Sequence, residues 1–394
     1  MRPRNSRSES GQRSFLSLWC YANPRGKDSK ELCDVLVVCD PHLIIISVKD
    51  IRLKSESDGD VQRWLRRAVD ASVDQLHGAE RWLQSAEAVK RRDGTPGLPL
   101  PARSDRRIHR IAVACGSQGA VLTSSGDFGK GFVHVLTEEG FFNVLGELDT
   151  IHDFAEYLRA KEAWIAGGRS VVLEGSELNL VGLYVSNGRT FPDNVSHIVV
   201  PDGLWQTMLD RPEFQKRKTL DRESYAWDAL IDQLSDPHAK PIEGSSVELS
   251  EVERALRVMV CENRFGRRVL GQALREFLEK AVAGQLRSRV LVGPSGVIYV
   301  LVRFHKNDDP NYRRAELGNR CFLARHMVGT GDTIVGVGIG EYVPGHGSTS
   351  DLIYMHLPAW SAEDDEHAVR MKAALGFFDG ASLQKSHEDE FPTA

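Results

Sequence analysis

A chain of 394 residues, 41% apolar and 27% charged, has the composition of a folded globular protein of two or three domains and excludes collagen-like, coiled-coil and wholly disordered architectures. A net charge of −5 does not advertise nucleic-acid binding, although a local basic patch suffices for it in an acidic protein. The longest unbroken apolar run, residues 297–302, is far short of the ~20 residues of a membrane span, so no membrane association is expected.

The basic N-terminus is followed by too few apolar residues, 15–20, for a signal peptide. The six cysteines are scattered, with no CxxC and no histidine pair at zinc spacing, which points to reduced thiols and a cytoplasmic location.

Residues 31–39 and 42–52 are two β-branched runs separated by Asp40-Pro41, which reads as a hairpin. Capping residues Ser57, Asp58, Gly59 and Asp60 then open a helix of roughly thirty residues, with Trp64, Leu65, Ala68, Leu76, Ala79 and Leu83 at helical spacing. Residues 94–101 form a Gly/Pro loop. Strands follow at 108–115 and 132–137, and helices at about 139–148 and 151–165. Short strands are expected at 170–173, 180–185 and 197–200, then polar helices over 203–240. One long helix is expected near 248–284, and then a hairpin at 289–304 turning on Pro-Ser-Gly. A helix at 312–327 and strands at 333–339 and 351–356 complete a second α/β unit, with a fraying acidic tail after Lys385. The fold class is therefore α/β: a mixed sheet flanked by helices over 1–166, and a second α/β domain with added helices over 167–394.

Side chains alternate along 42–52, so Leu43, Ile45, Ser47 and Lys49 share one face. Both faces are otherwise apolar, and a buried ammonium costs several kcal/mol unless it is paired. The hairpin brings Asp34 to the same open end as Lys49, and a structural Asp34–Lys49 ion pair is the simplest reading. Glu31 adds a second carboxylate nearby, and Gln75 is a polar amide on the apolar stripe of the following helix.

Together Asp34, Ser47-Val48-Lys49 and Gln75 resemble the PD-(D/E)xK, or restriction-endonuclease-like, nuclease superfamily over residues 9–115. The resemblance implies that Asp34 is the first metal-binding acid, Ser47-Val48-Lys49 the (D/E)xK triplet and Gln75 the polar residue of the adjacent helix. It implies Mg²⁺ or Mn²⁺ as cofactor and phosphodiester hydrolysis of nucleic acid, DNA before RNA, by metal-activated water. It also suggests a role in defence against foreign DNA, by family analogy. Ser47 departs from the pattern, where Asp or Glu is usual, so Glu31 or Glu9 is the candidate acid to complete the metal site. Arg63, Arg66, Arg67, Arg81, Arg107 and Arg110 are the candidate backbone-binding residues. The alternative under the same fold is a catalytically inactive nucleic-acid-binding module, and the second domain would sense, recruit a companion protein or form a homo-oligomer.

Four other patterns invite attention. The glycines of 336–340 lack the helix that a dinucleotide fingerprint requires. Glu262, Arg264, Arg267 and Arg268 read as a solvated or interface helix face. Arg303, Arg313, Arg314, Arg320, Arg325 and His326 suggest a second basic surface, and Asp221, Ser224, Tyr225, Trp227 and Asp228 an aromatic–acidic packing cluster.

Overall fold

A computed structural model describes residues 16–117, 125–235, 249–341, 348–381, 384 and 388–391. The chain divides into two compact units between Phe214 and Gln215, not at the Gly-rich 166–169 stretch. Residues 170–200 stay with the first unit because their side chains complete its core. Trp164 stacks on Phe191 with ring centroids 4.5 Å apart, and Tyr157 donates to Glu177 at 2.6 Å.

The first unit is built on a six-stranded mixed sheet, ordered β1-β2-β3-β6-β8-β7. Its strands are β1 (Cys20–Ala22), β2 (Val35–Cys39), β3 (His42–Asp50), β6 (Arg107–Cys115), β7 (Gly126–Asp127) and β8 (Phe132–Thr137). β4 (Ala88–Lys90) and β5 (Pro96–Pro99) form a separate ribbon. The β2–β3 hairpin is antiparallel, with Val35 opposite Ile46, and β3 runs parallel to β6, with Lys49 opposite Ala114. β6 is in turn parallel to β8, with Ile111 opposite His134. Residues 16–19 form a turn running into β1.

Between β3 and β6 the chain crosses over through a continuous helix, α1, spanning 58–85. One wider π-type turn interrupts it at Arg66–Asp70. α1 packs on β3 and β6 through Trp64, Ala68, Leu76, Ala79 and Leu83, the stripe expected from the sequence. Its terminal carbonyls are closed by Arg106, which donates to Leu83 O and Ala86 O. At the far end of β3, Gly116 has φ +85°, and an added Cβ would lie 2.5 Å from Ile51 O, so only glycine fits that crossing.

After β8 come α2 (Glu138–Glu147) and α3 (Ile151–Ala166), with Thr137 and Thr150 as their N-caps. β9 (Ser170–Leu173) and β10 (His197–Val200) form a parallel pair. Between them, the expected strand at 180–185 is the helix α4 (Glu177–Ser186). A short apolar run suits either state. Here burial of Asn179, Leu180, Val181, Tyr184 and Val185 against neighbouring elements decides for helix. α5 (Leu204–Leu209) and α6 (Pro212–Leu220) lead into the second unit.

That unit contains α7 (Tyr225–Leu234), α8 (Leu249–Val260), α9 (Arg264–Val282), α10 (Pro310–Val328), α11 (Ala362–Leu375) and a four-stranded sheet on which α8, α9 and α10 pack, with α11 against α10. The expected single helix at 248–284 breaks at Asn263, whose side chain caps Gly266 N at 2.7 Å. The sheet order is β11-β12-β13-β14, formed by Ser288–Val292, Ile298–Phe304, Thr333–Gly340 and Ser350–His356. Gly336 lies under α10, where a Cβ would stand 2.5 Å from Cys321 Sγ. The glycine run therefore serves close packing, and among the described residues no helix opens directly after it.

Several arginines of the second unit are internal, although Arg222, Arg275, Arg314 and Arg370 are exposed. Arg264 and Arg267 both pair with Asp228, and Arg268 with Asp221, so the expected solvated face is a buried ion network. Burial raises the Asp221 carboxyl despite Arg217 and Arg268 beside it. Arg313 pairs with Asp351, Arg320 with Glu316, and His326 with Asp365, so no second basic surface arises from them. The tail returns onto this unit rather than fraying throughout: Arg268 donates to Asp389 O and Arg217 pairs with Glu390.

Candidate active site and its surroundings

Continuing the hairpin register by one residue places Asp34 opposite Ser47. Asp34 N donates to Ile46 O at 3.1 Å, and its Oδ2 accepts from Val48 N at 2.8 Å. The carboxylate thus closes the end of the hairpin ladder, and its other oxygen has no protein hydrogen bond among the described residues.

Ser47 is fully buried. Its hydroxyl donates to Gln75 Oε1 at 2.9 Å, and Lys49 Nζ donates to the same oxygen at 2.6 Å. Lys49 and Asp34 are half-buried at the carboxyl end of β3. The expected Asp34–Lys49 ion pair is absent among the described residues. The ammonium turns to the amide oxygen on α1, while the carboxylate turns to the backbone. The structure therefore brings Asp34, Ser47, Lys49 and Gln75 together on the sheet face that α1 covers, by a different wiring from the one expected.

Glu31 is exposed, on a segment bridged by its backbone to Arg25, and Glu9 lies outside the described residues. Of the three candidate acids, Asp34 is the one that lies beside Ser47 and Lys49. Mg²⁺ takes one or two carboxylates together with waters and substrate phosphates, so the side chains present fit an ion that shares its shell with phosphate.

The candidate arginines separate into two groups. Arg107 sits at the opposite end of β6, seven residues from the position level with Lys49, or roughly 23 Å along the strand. Arg110 forms a two-pronged pair with Glu80 of α1 and also donates to Phe132 O. Burial would raise the Glu80 carboxyl, but hydrogen bonds and charge from Arg110 hold it below the usual range. Neither arginine is therefore placed for a phosphate at Lys49. Arg63, Arg66, Arg67 and Arg81 are exposed along α1, Arg63 in an exposed pair with Asp60. Arg52 and Lys54, exposed just beyond the strand end that carries Lys49, are cations the sequence reading passed over. Their position three and five residues after Lys49 was the available signal.

The opposite face of the same sheet carries buried histidines that the sequence reading also missed. His42 Nδ1 and His109 Nε2 share a hydrogen bond of 3.2 Å, with the rings stacked. His134 is completely buried against Phe132, and neither of its ring nitrogens has a hydrogen-bond partner among the described residues. Burial lowers all three: His42 to about 4, His109 to about 3 and His134 further below the ordinary histidine range. Each occupies an inward strand position within an otherwise apolar run, a pattern visible in the residues 42–46, 108–113 and 132–136.

Comparison with protein-family models, with curated proteins and with solved structures finds no match to this chain.

Proposed function

We propose that the first unit is a divalent-metal-dependent phosphodiesterase acting on nucleic acid, DNA before RNA. The observation that carries this reading is the convergence of Asp34, Ser47, Lys49 and Gln75 at one end of a helix-covered hairpin. The resemblance to the PD-(D/E)xK pattern supports it on the same residues.

In this reading a bound Mg²⁺ or Mn²⁺ would acidify a water and offset phosphate charge. Asp34 would hold the ion, its carboxylate being the negative charge beside Lys49 and Gln75. Lys49 is fixed by Gln75 and stabilises the extra negative charge that builds on the phosphate during attack. Ser47 contributes position and not charge: its proton points to Gln75, which locks the amide so that its oxygen faces the ammonium. Arg52, Lys54 and the exposed arginines of α1 supply salt-dependent contacts to the nucleic-acid backbone. A role in defence against foreign DNA suits this reading by analogy only.

A second reading is an inactive nucleic-acid-binding module of the same fold. It is favoured by the serine at position 47 and by the exposure of Glu31, which leave Asp34 as the anionic ligand at this end. Incubation of the full chain with single- and double-stranded DNA and RNA, with Mg²⁺ or Mn²⁺, separates the two beside Lys49→Ala. Cleavage by the parent that disappears in Lys49→Ala is expected. Identical products from both proteins remove the enzymatic assignment, and salt-sensitive binding without cleavage selects the second reading.

A further inference from the structure

Across the sheet from Lys49, one ring nitrogen each from His109 and His134 and a carboxylate oxygen of Glu162 lie within 4.8 Å of one another. The three residues come from β6, β8 and α3. Two parallel strands bring the histidines side by side, and the helix lays Glu162 over them. We propose that His109, His134 and Glu162 bind a divalent transition-metal ion of the Zn²⁺ class.

Hydrogen-bond accounting is the first support. An imidazole taken wholly out of water costs free energy unless its nitrogens find partners, and buried polar atoms are nearly always satisfied. His134 is 0% exposed and both its nitrogens lack partners; His109 is 3% exposed and its Nδ1 lacks one. A metal bound to one nitrogen of each ring satisfies two of these three orphan atoms at once.

Protonation state is the second. Metal ligation needs neutral imidazoles, and burial keeps these rings neutral across the physiological range. The neighbouring cations do not repel an ion unopposed, because Lys161 is paired with Glu177 and Arg110 with Glu80.

The donor set is the third. Two imidazoles and one carboxylate suit zinc and its first-row neighbours, while Mg²⁺ prefers an all-oxygen shell. With the ion on the unpartnered Nδ1 of His109, His42 holds that ring's other nitrogen, the orienting contact that metal-bound histidines usually have. A tetrahedral ion bound at about 2.0–2.1 Å keeps its donors roughly 3.4 Å apart. The present spacing of up to 4.8 Å must therefore contract, and the half-buried Glu162 side chain has the freedom to close it.

This site is separate from the proposed nuclease centre and does not depend on it. The test uses the full chain, stripped with chelator and then titrated with Zn²⁺ and Co²⁺. One ion per chain is expected, with a rise in the thermal midpoint and a Co²⁺ absorption spectrum of nitrogen and oxygen ligation. Glu162→Gln, on the open side of the site, should keep the native circular dichroism and weaken binding at least about tenfold. His42→Leu should weaken it about 10–100-fold as a lost orienting contact. Glu366→Gln, exposed in the second unit, should bind Zn²⁺ as the parent does. Absence of stoichiometric binding overturns the proposal. So does a thiolate-to-metal charge-transfer band, which would assign the ion to cysteines, or parent-like affinity in folded Glu162→Gln and His134→Phe.

Discussion

Acidification should unfold the first unit through its buried histidines, His42 and His109 with His134 beside them, well before its carboxylates titrate. His42 and His109 are buried and neutral, with burial the main cause of pKa values near 4 and 3 against an ordinary value of 6.5. The unfolded chain therefore binds more protons than the native one once the pH falls below about 6.5. The stabilising effect is complete above that point and is lost progressively as the pH falls toward 4 and then 3. Between about pH 7.5 and 4.5, the shift from 6.5 to about 4 amounts to about 2–3 kcal/mol for His42, and both rings together to about 5 kcal/mol. That is comparable with the whole stability of a typical domain, about 5–15 kcal/mol, so the unit should lose its structure in this window. Glu162, raised by burial, works in the opposite direction and reduces the effect.

Urea titrations at successive pH values, in the presence of chelator, measure this directly. The unfolding midpoint of the parent should fall steeply from pH 6.5 to 4.5, and His42→Leu/His109→Leu should flatten that dependence. A double variant that keeps the parental slope would refute the assignment to these rings, as would His42 or His109 ring signals titrating near pH 6.5 in the native protein. The second unit offers a contrast. Burial alone would raise Glu316, but hydrogen bonds from Arg287, Tyr312 and Arg320 hold it at about 2, so its contribution is lost only below about pH 4.5.

Two further outcomes follow from packing. Arg110→Met should destabilise the first unit by about 1–3 kcal/mol by stranding Glu80, and Glu80→Leu/Arg110→Met should recover most of the loss in chemical denaturation. Equal losses in the single and double variants would contradict this. Gly336→Ala should cost the second unit about 1–3 kcal/mol, because the new methyl meets Cys321 Sγ, and adding Cys321→Ala should restore part of it in thermal melts. An unchanged melting midpoint in Gly336→Ala would show that α10 shifts freely over β13.

By itself the sequence determined the elements whose periodicity is strong. The β2–β3 hairpin, α1, β6, β8 and the β11–β12 hairpin follow from alternation, helical spacing and turn residues, which act locally. It also placed Asp34, Ser47, Lys49 and Gln75 at one end of one hairpin, because strand alternation and the length of α1 leave little freedom there. Tertiary structure decided what those residues bond to. Lys49 meets Gln75 and not Asp34, since the helix offers an acceptor on the ammonium's own face while the Val48 amide claims the carboxylate.

Contacts between distant segments likewise decided that α4 is a helix, that Arg110 is taken by Glu80, and that the arginines of α9 lie inside. The cluster of His109, His134 and Glu162 belongs to the same class. Each residue is unremarkable in its own run, and only the parallel pairing of β6 with β8, with α3 laid across them, brings three metal-ligating side chains to one point.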